Sequence, residues 1–218
     1  MKRTAICFAL SLVVVMANGC ALFGLSHRID RDTLDMVPNE EKLLLFDAEN
    51  GVYIARDEME NANRAVRDAE RALERAENYG DVIDDRRESG AAIDTPEVLD
   101  LLERWNDLRV EMREEELAVA EQRVLAADAR LWASRARYER AKALLIKNHV
   151  PEEGADVDML DFDEQVADYE VDEKEAEAAL AELEKNLSQK RATYIEVSRK
   201  LQAISKGAYG GPWADLAD

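Results

Sequence analysis

Apolar residues in this chain recur at alternating steps of four and three. In the first third they fall at Ala48, Val52, Ala55, Met59, Ala62, Val66, Ala69, Leu73 and Ala76. That period marks a helix whose apolar stripe lies against a partner helix. Asn39 with Glu40 and Glu41 supplies a capping residue and acids at the positive helix end. Gly80 supplies a stop. The spacing predicts helix one over 39–79 and a loop over 80–94.

Helix two opens on Thr95-Pro96-Glu97, a cap followed by a first-turn proline, and is predicted over 96–148. Its stripe begins at Leu101, Trp105, Leu108 and Met112, slips phase near Glu114–Glu116, and resumes from Leu117 and Ala120 through Leu131 and Ser134 to Leu145. Pro151 and Gly154 end it. Helix three is predicted over 160–206, with a stripe from Phe162, Val166 and Tyr169 to Val197, Leu201 and Ile204 that is interrupted by Glu173 and Lys190.

Short connections between long helices favour antiparallel neighbours. Small residues every seventh position, Ala48 to Ala76 in helix one and Ala120 to Ala141 in helix two, favour close approach of their axes. The predicted fold is all-α: an elongated three-helix antiparallel coiled coil, built as two consecutive hairpins over 39–206. If 148 lies level with 160, Glu173 falls near Arg135 and Arg137, and Lys190 falls between Glu115 and Glu121. The 80–94 loop sets Asn39 level with residue 136, leaving the end of helix two beside helix three alone.

The N-terminus carries a separate signal. Lys2 and Arg3 precede an apolar run from Ala5 to Met16, then Ala17-Asn18-Gly19-Cys20. A basic start, a short apolar stretch and small residues before a cut site make an export signal. The run is shorter than the roughly 20 residues a membrane-spanning helix needs. The cysteine after Gly19 resembles the lipobox of bacterial lipoproteins, although Ala17 and Asn18 depart from its usual residues. An ordinary secretory signal cut after Ala17 is the other reading. The resemblance implies removal of 1–19 and acylation of Cys20 as the mature N-terminus. Residues 20–38 then read as the lipidated cysteine and a flexible tether. The other cysteine, Cys7, lies in the discarded segment, so the mature chain has no disulfide partner.

Composition narrows the partners. Net charge is −19, and loss of Lys2 and Arg3 makes it −21. Phosphate binding needs clustered cations, so nucleic acid is excluded, and the body is not drawn to anionic lipid. Membrane attachment therefore falls to acyl chains. The acids at 152–164 lack the calcium-loop pattern, because Leu160 and Asp161 occupy ligand and turn positions, and they suit a helix N-terminus. His27 and His149 have no ligand partners at metal spacing. No metal, cofactor or catalytic residue is expected. Arg135, Arg137, Arg140 and Lys142 suit the end of helix two and nearby acids. The glycine-rich tail 207–218 carries Tyr209 and Trp213. These aromatics are either partner-binding anchors in a flexible segment or part of an end tucked onto the helices.

The expectation is a non-enzymatic, lipid-anchored periplasmic protein acting as a spacer, scaffold or adaptor in a cell-envelope assembly. Its partners are the membrane, through the acyl chains, and an envelope protein; the sequence leaves the oligomeric state open. The alternative function is a chaperone or binding protein clasping apolar cargo between helices. Ala21 after the cysteine, by resemblance to enteric sorting, points to the periplasmic side of the outer membrane. The cell surface, inner membrane and soluble periplasm are the other placements.

Overall fold

A computed structural model describes residues 24–90 and 93–210; Cys20 and Trp213 lie outside them. The fold is all-α, with no strand among the described residues. In chain order the elements are α1 (Arg31–Asp35), a 3-10 turn (Glu41–Leu45), α2 (Phe46–Ser89), α3 (Pro96–His149), α4 (Pro151–Ala155) and α5 (Met159–Ile204). The long helices pack against one another through apolar stripes.

Helix α3 begins where the proline rule places it, with the Val98 N–H donating to Thr95 Oγ1 at 3.4 Å. It continues unbroken through the phase slip. There Glu115 and Glu116 meet Lys190 at 2.8 Å and Arg191 at 2.7 Å on α5. Because α3 touches both other long helices, it buries more than one stripe. Trp105, Met112 and Val119 lie on one, and Leu99, Asn106 and Ala120 on another, each row spaced by multiples of seven.

Helix α2 corrects the expected boundary. Gly80 lies inside it, and the chain leaves the helix at Gly90, whose φ of 61° suits glycine. A mid-helix glycine costs about 1 kcal/mol. Burial of Ile83 and packing of Tyr79 against Val98, Leu102 and Trp105 outweigh that cost. The longer helix shifts the register: Glu41 approaches His149 at 3.7 Å, so the 3-10 turn reaches the end of α3.

The chain divides into two compact units, Met1–Met59 with Leu125–Glu177 and Glu60–Val124 with Ala178–Asp218. In unit 1, Val37, Leu45, Leu145, Ile146 and Val150 form one cluster, and Ala133, Ala136 and Tyr169 another. Arg130 bridges Glu58 of α2 to Glu173 and Glu177 of α5. As α3 advances from Arg130 through Arg137 to Arg140, its α5 partners step back from Glu177 through Glu170 to Asp163. In unit 2, Ile83, Leu102, Trp105, Val197, Leu201 and Tyr209 share one cluster. There, as α3 advances from Glu116 to Arg123, the α5 partner steps back from Arg191 to Glu184.

The expected flexible tether is overturned from Gly24 onward. Residues 24–38 contain α1 and lie against α3 and α5, with Val37 2% exposed. Ile29 and Leu34 join the same cluster as Leu145 and Ile146. A segment without a sustained period gives no local signal for this, because the contacts that seat it on α3 and α5 are distant in sequence.

Candidate functional site

In unit 1 the N-terminal segment enters at Gly24, whose C=O accepts the Tyr169 hydroxyl at 3.2 Å. Gln165, 5% exposed, then brackets one residue. Its Oε1 accepts the His27 N–H at 2.9 Å and its Nε2 donates to the His27 C=O at 3.1 Å. Ser26 Oγ also donates to Gln165 Oε1 at 3.1 Å, and the His27 ring stands edge-on to Phe162. Two residues on, Glu139 accepts the Ile29 N–H at 2.9 Å while Lys142 donates to the Ile29 C=O at 3.2 Å. Glu139 and Lys142 are themselves paired at 2.6 Å and nearly buried. Two residues of a segment with no strand beside it among the described residues are thereby satisfied at both backbone donor and acceptor.

Beside this seat lies a cavity of about 310 Å³ lined by Leu25, Arg28, Val52, Trp132, Arg135, Tyr138 and Glu139. The Arg135 guanidinium lies over Trp132, 4.8 Å from the ring centroid. Burial raises the Tyr138 hydroxyl above the ordinary tyrosine range, and the Glu49 and Glu139 carboxylates add to this. The remaining basic residues of the cluster pair with acids: Arg137 with Glu170 and Glu173, Arg140 with Asp163.

The start of α2 carries the second feature of unit 1. Leu43, Phe46, Tyr53 and Ile54 are 74%, 69%, 57% and 52% exposed. Phe46, Asn50, Tyr53, Ile54 and Asp57 fall on one helical arc, opposite Ala48 and Ala55, which face inward. The apolar side chains of this arc are each more than half exposed.

In unit 2 the start of the tail is placed differently from the partner-binding expectation. Tyr209 is 9% exposed and joins the cluster of Trp105 and Leu201. Its hydroxyl donates to Asp94 Oδ1 at 2.5 Å and accepts from Arg86 Nη1 at 2.7 Å. Burial, then the Asp94 bond, pushes its hydroxyl up to about 12, with Arg86 opposing. Gly210 has φ of 71°, and a Cβ there would meet the Ser198 C=O at 2.6 Å, so the backbone itself packs onto α5. Tyr209 is thus a core residue of its own unit, because loop residue Asp94 offers a buried acceptor. Trp213 lies outside the described residues.

Unit 2 also holds a groove of about 550 Å³, lined on α2 by Ala65, Asp68, Ala69 and Ala72 and opposite by Val119, Ala120, Arg123, Glu184 and Leu187. Arg113 and Arg191 border it, each paired with Glu116. His27 and His149 each face one carboxylate, Asp161 and Glu41, at 3.7 Å. No group of three or more His, Cys, Asp or Glu able to hold a metal occurs among the described residues. Nor is any helix there long and apolar enough to cross a membrane.

Sequence reasoning missed Gln165, Glu139 and Asp94 as structural residues. Gln165 stands three residues after Phe162 and four before Tyr169, so spacing alone puts it on their face; its polarity is what sets it outside an apolar stripe. No protein-family model, curated protein or solved structure matches the chain.

Proposed function

We propose that this is a periplasmic lipoprotein, acylated at Cys20, whose three-helix antiparallel coiled coil serves as a spacer, scaffold or adaptor in a cell-envelope assembly. The export run ending in Cys20 carries this reading. The backward stepping of α5 partners along α3 in each unit supports the antiparallel arrangement. Cys20 stands four residues before the clamped segment, so an acyl anchor would hold unit 1 close to the bilayer. Ala21 favours the outer membrane. Catalysis has no part in this reading, and Trp213 is the tail's anchor for a protein partner.

Cys20→Ser is expected to move the protein from the membrane to the soluble envelope fraction. Persistence with membranes through high-salt washing would overturn the anchor. A photocrosslinking residue replacing Trp213 is expected to capture one stable envelope partner.

The alanine-lined groove of unit 2 favours a second reading, in which apolar cargo lies between α2 and α5. That reading requires binding of an apolar dye that Ala69→Glu abolishes. A spacer requires no such binding.

A further inference from the structure

We infer that the exposed arc of α2 at Phe46, Tyr53 and Ile54 rests on a zwitterionic lipid surface. This rests on the acyl anchor at Cys20. From Cys20 to Gly24 is four residue steps, a reach of about 14 Å when fully extended. Gly24 is held by Tyr169, and its neighbour Leu25 lines the same cavity as Val52 on α2. Along α2, Phe46 lies about 9 Å from Val52, and Tyr53 and Ile54 are closer. Crossing from the inner to the outer side of a helix takes about 10–12 Å. An acylated Cys20 therefore keeps the bilayer surface within reach of this arc.

The chemistry of the arc fits that surface. Phe46 and Ile54 offer apolar bulk, and Tyr53 joins an apolar ring to a hydroxyl suited to the headgroup level. Leu43 continues the face by one turn and is 74% exposed. Asn50, at the centre of the arc, is exposed and uncharged. Its amide can bond to headgroup oxygens, which keeps the contact shallow. Asp57 shares the arc and Asp47 borders it, so anionic lipid is disfavoured. The same two acids disfavour a second copy. A two-fold antiparallel pairing centred on the arc would set Asp47 of each copy level with Asp57 of the other.

The test uses the full mature acylated protein on phosphatidylcholine vesicles. An environment-sensitive dye is attached at Asn50→Cys, within the arc, or at Asp168→Cys, exposed on α5 of the same unit. The Asn50→Cys dye is expected to shift blue and to lose about half or more of its quenching by aqueous iodide. The Asp168→Cys dye is expected to remain fully quenched. Adding Phe46→Glu and Ile54→Glu to Asn50→Cys should restore quenching while the protein still floats with the vesicles. A protein that floats while both dyes stay equally quenched overturns the docking and leaves the anchor standing. Failure to float overturns the anchor and the docking together. Shielding of the Asn50→Cys dye in vesicle-free Cys20→Ser protein assigns the arc to another copy, if concentration-dependent, or to the chain's own N-terminus, and overturns the lipid surface.

Discussion

Gln165 holds both the N–H and the C=O of His27, at 2.9 and 3.1 Å, across most of the chain's length. One side-chain amide thus does for this extended segment what a neighbouring strand does in a sheet. Gln165→Leu removes both bonds while keeping the side chain's bulk. It is expected to cost about 1–3 kcal/mol, because two backbone groups lose their partners. Amide exchange at His27 should quicken far more than at Val197 in unit 2. Unchanged protection at His27 would show that the apolar contacts of Ile29 and Val37 suffice.

Glu139 and Lys142 clamp Ile29 as a pair, with side chains 12% and 11% exposed. Lys142→Met leaves a carboxylate with little solvent and is expected to cost about 3–5 kcal/mol. Adding Glu139→Gln to it should recover part of the loss. A double-mutant cycle by denaturant unfolding measures this; additive losses would mean that the two side chains act separately.

Tyr209 gives unit 2 an alkaline dependence. Its folded-state value of about 12 lies above the ordinary 10.0, so the folded protein holds this proton longer than the unfolded chain does. The resulting stability is intact below pH 10 and is lost as pH rises from 10 toward 12. Its size is on the order of 2–3 kcal/mol. Tyr209→Phe should melt lower at pH 8, because buried Asp94 loses a donor, and should lack this share of the alkaline loss. Parallel wild-type and variant curves between pH 10 and 12 would remove Tyr209 from that role.

The alanine stripe of α2 divides by environment. Ala76 is 0% exposed, and Ala76→Leu has nowhere to place three more carbons; overpacking of this kind costs about 1–3 kcal/mol. Ala69 lines the 550 Å³ groove, so Ala69→Leu fills space and is expected to be neutral or to stabilise by about 0.5–2 kcal/mol. The thermal melt should fall for Ala76→Leu and hold or rise for Ala69→Leu. A large loss at Ala69 would show that the groove cannot accept the added side chain.

The long helices and their facing stripes were legible because the heptad period is a local signal, repeated many times over. Boundaries at Pro96 and His149 were legible because capping and proline chemistry act within a few residues. The charged breaks were legible too: Glu173 meets Arg137 and Lys190 meets Glu115, as the α3–α5 register requires. Gly80 misled because its local cost is smaller than the burial of Ile83 a turn later.

The sequence by itself determined the helical class and most of the inward faces. Tertiary structure alone decided the fate of the aperiodic ends. Residues 24–38 and Tyr209 carry no repeating pattern, and their partners Gln165, Glu139 and Asp94 are polar residues unremarkable in their own neighbourhoods. Whether such a segment waves free or packs depends on buried donors and acceptors brought close by folding, and linear spacing does not encode that proximity.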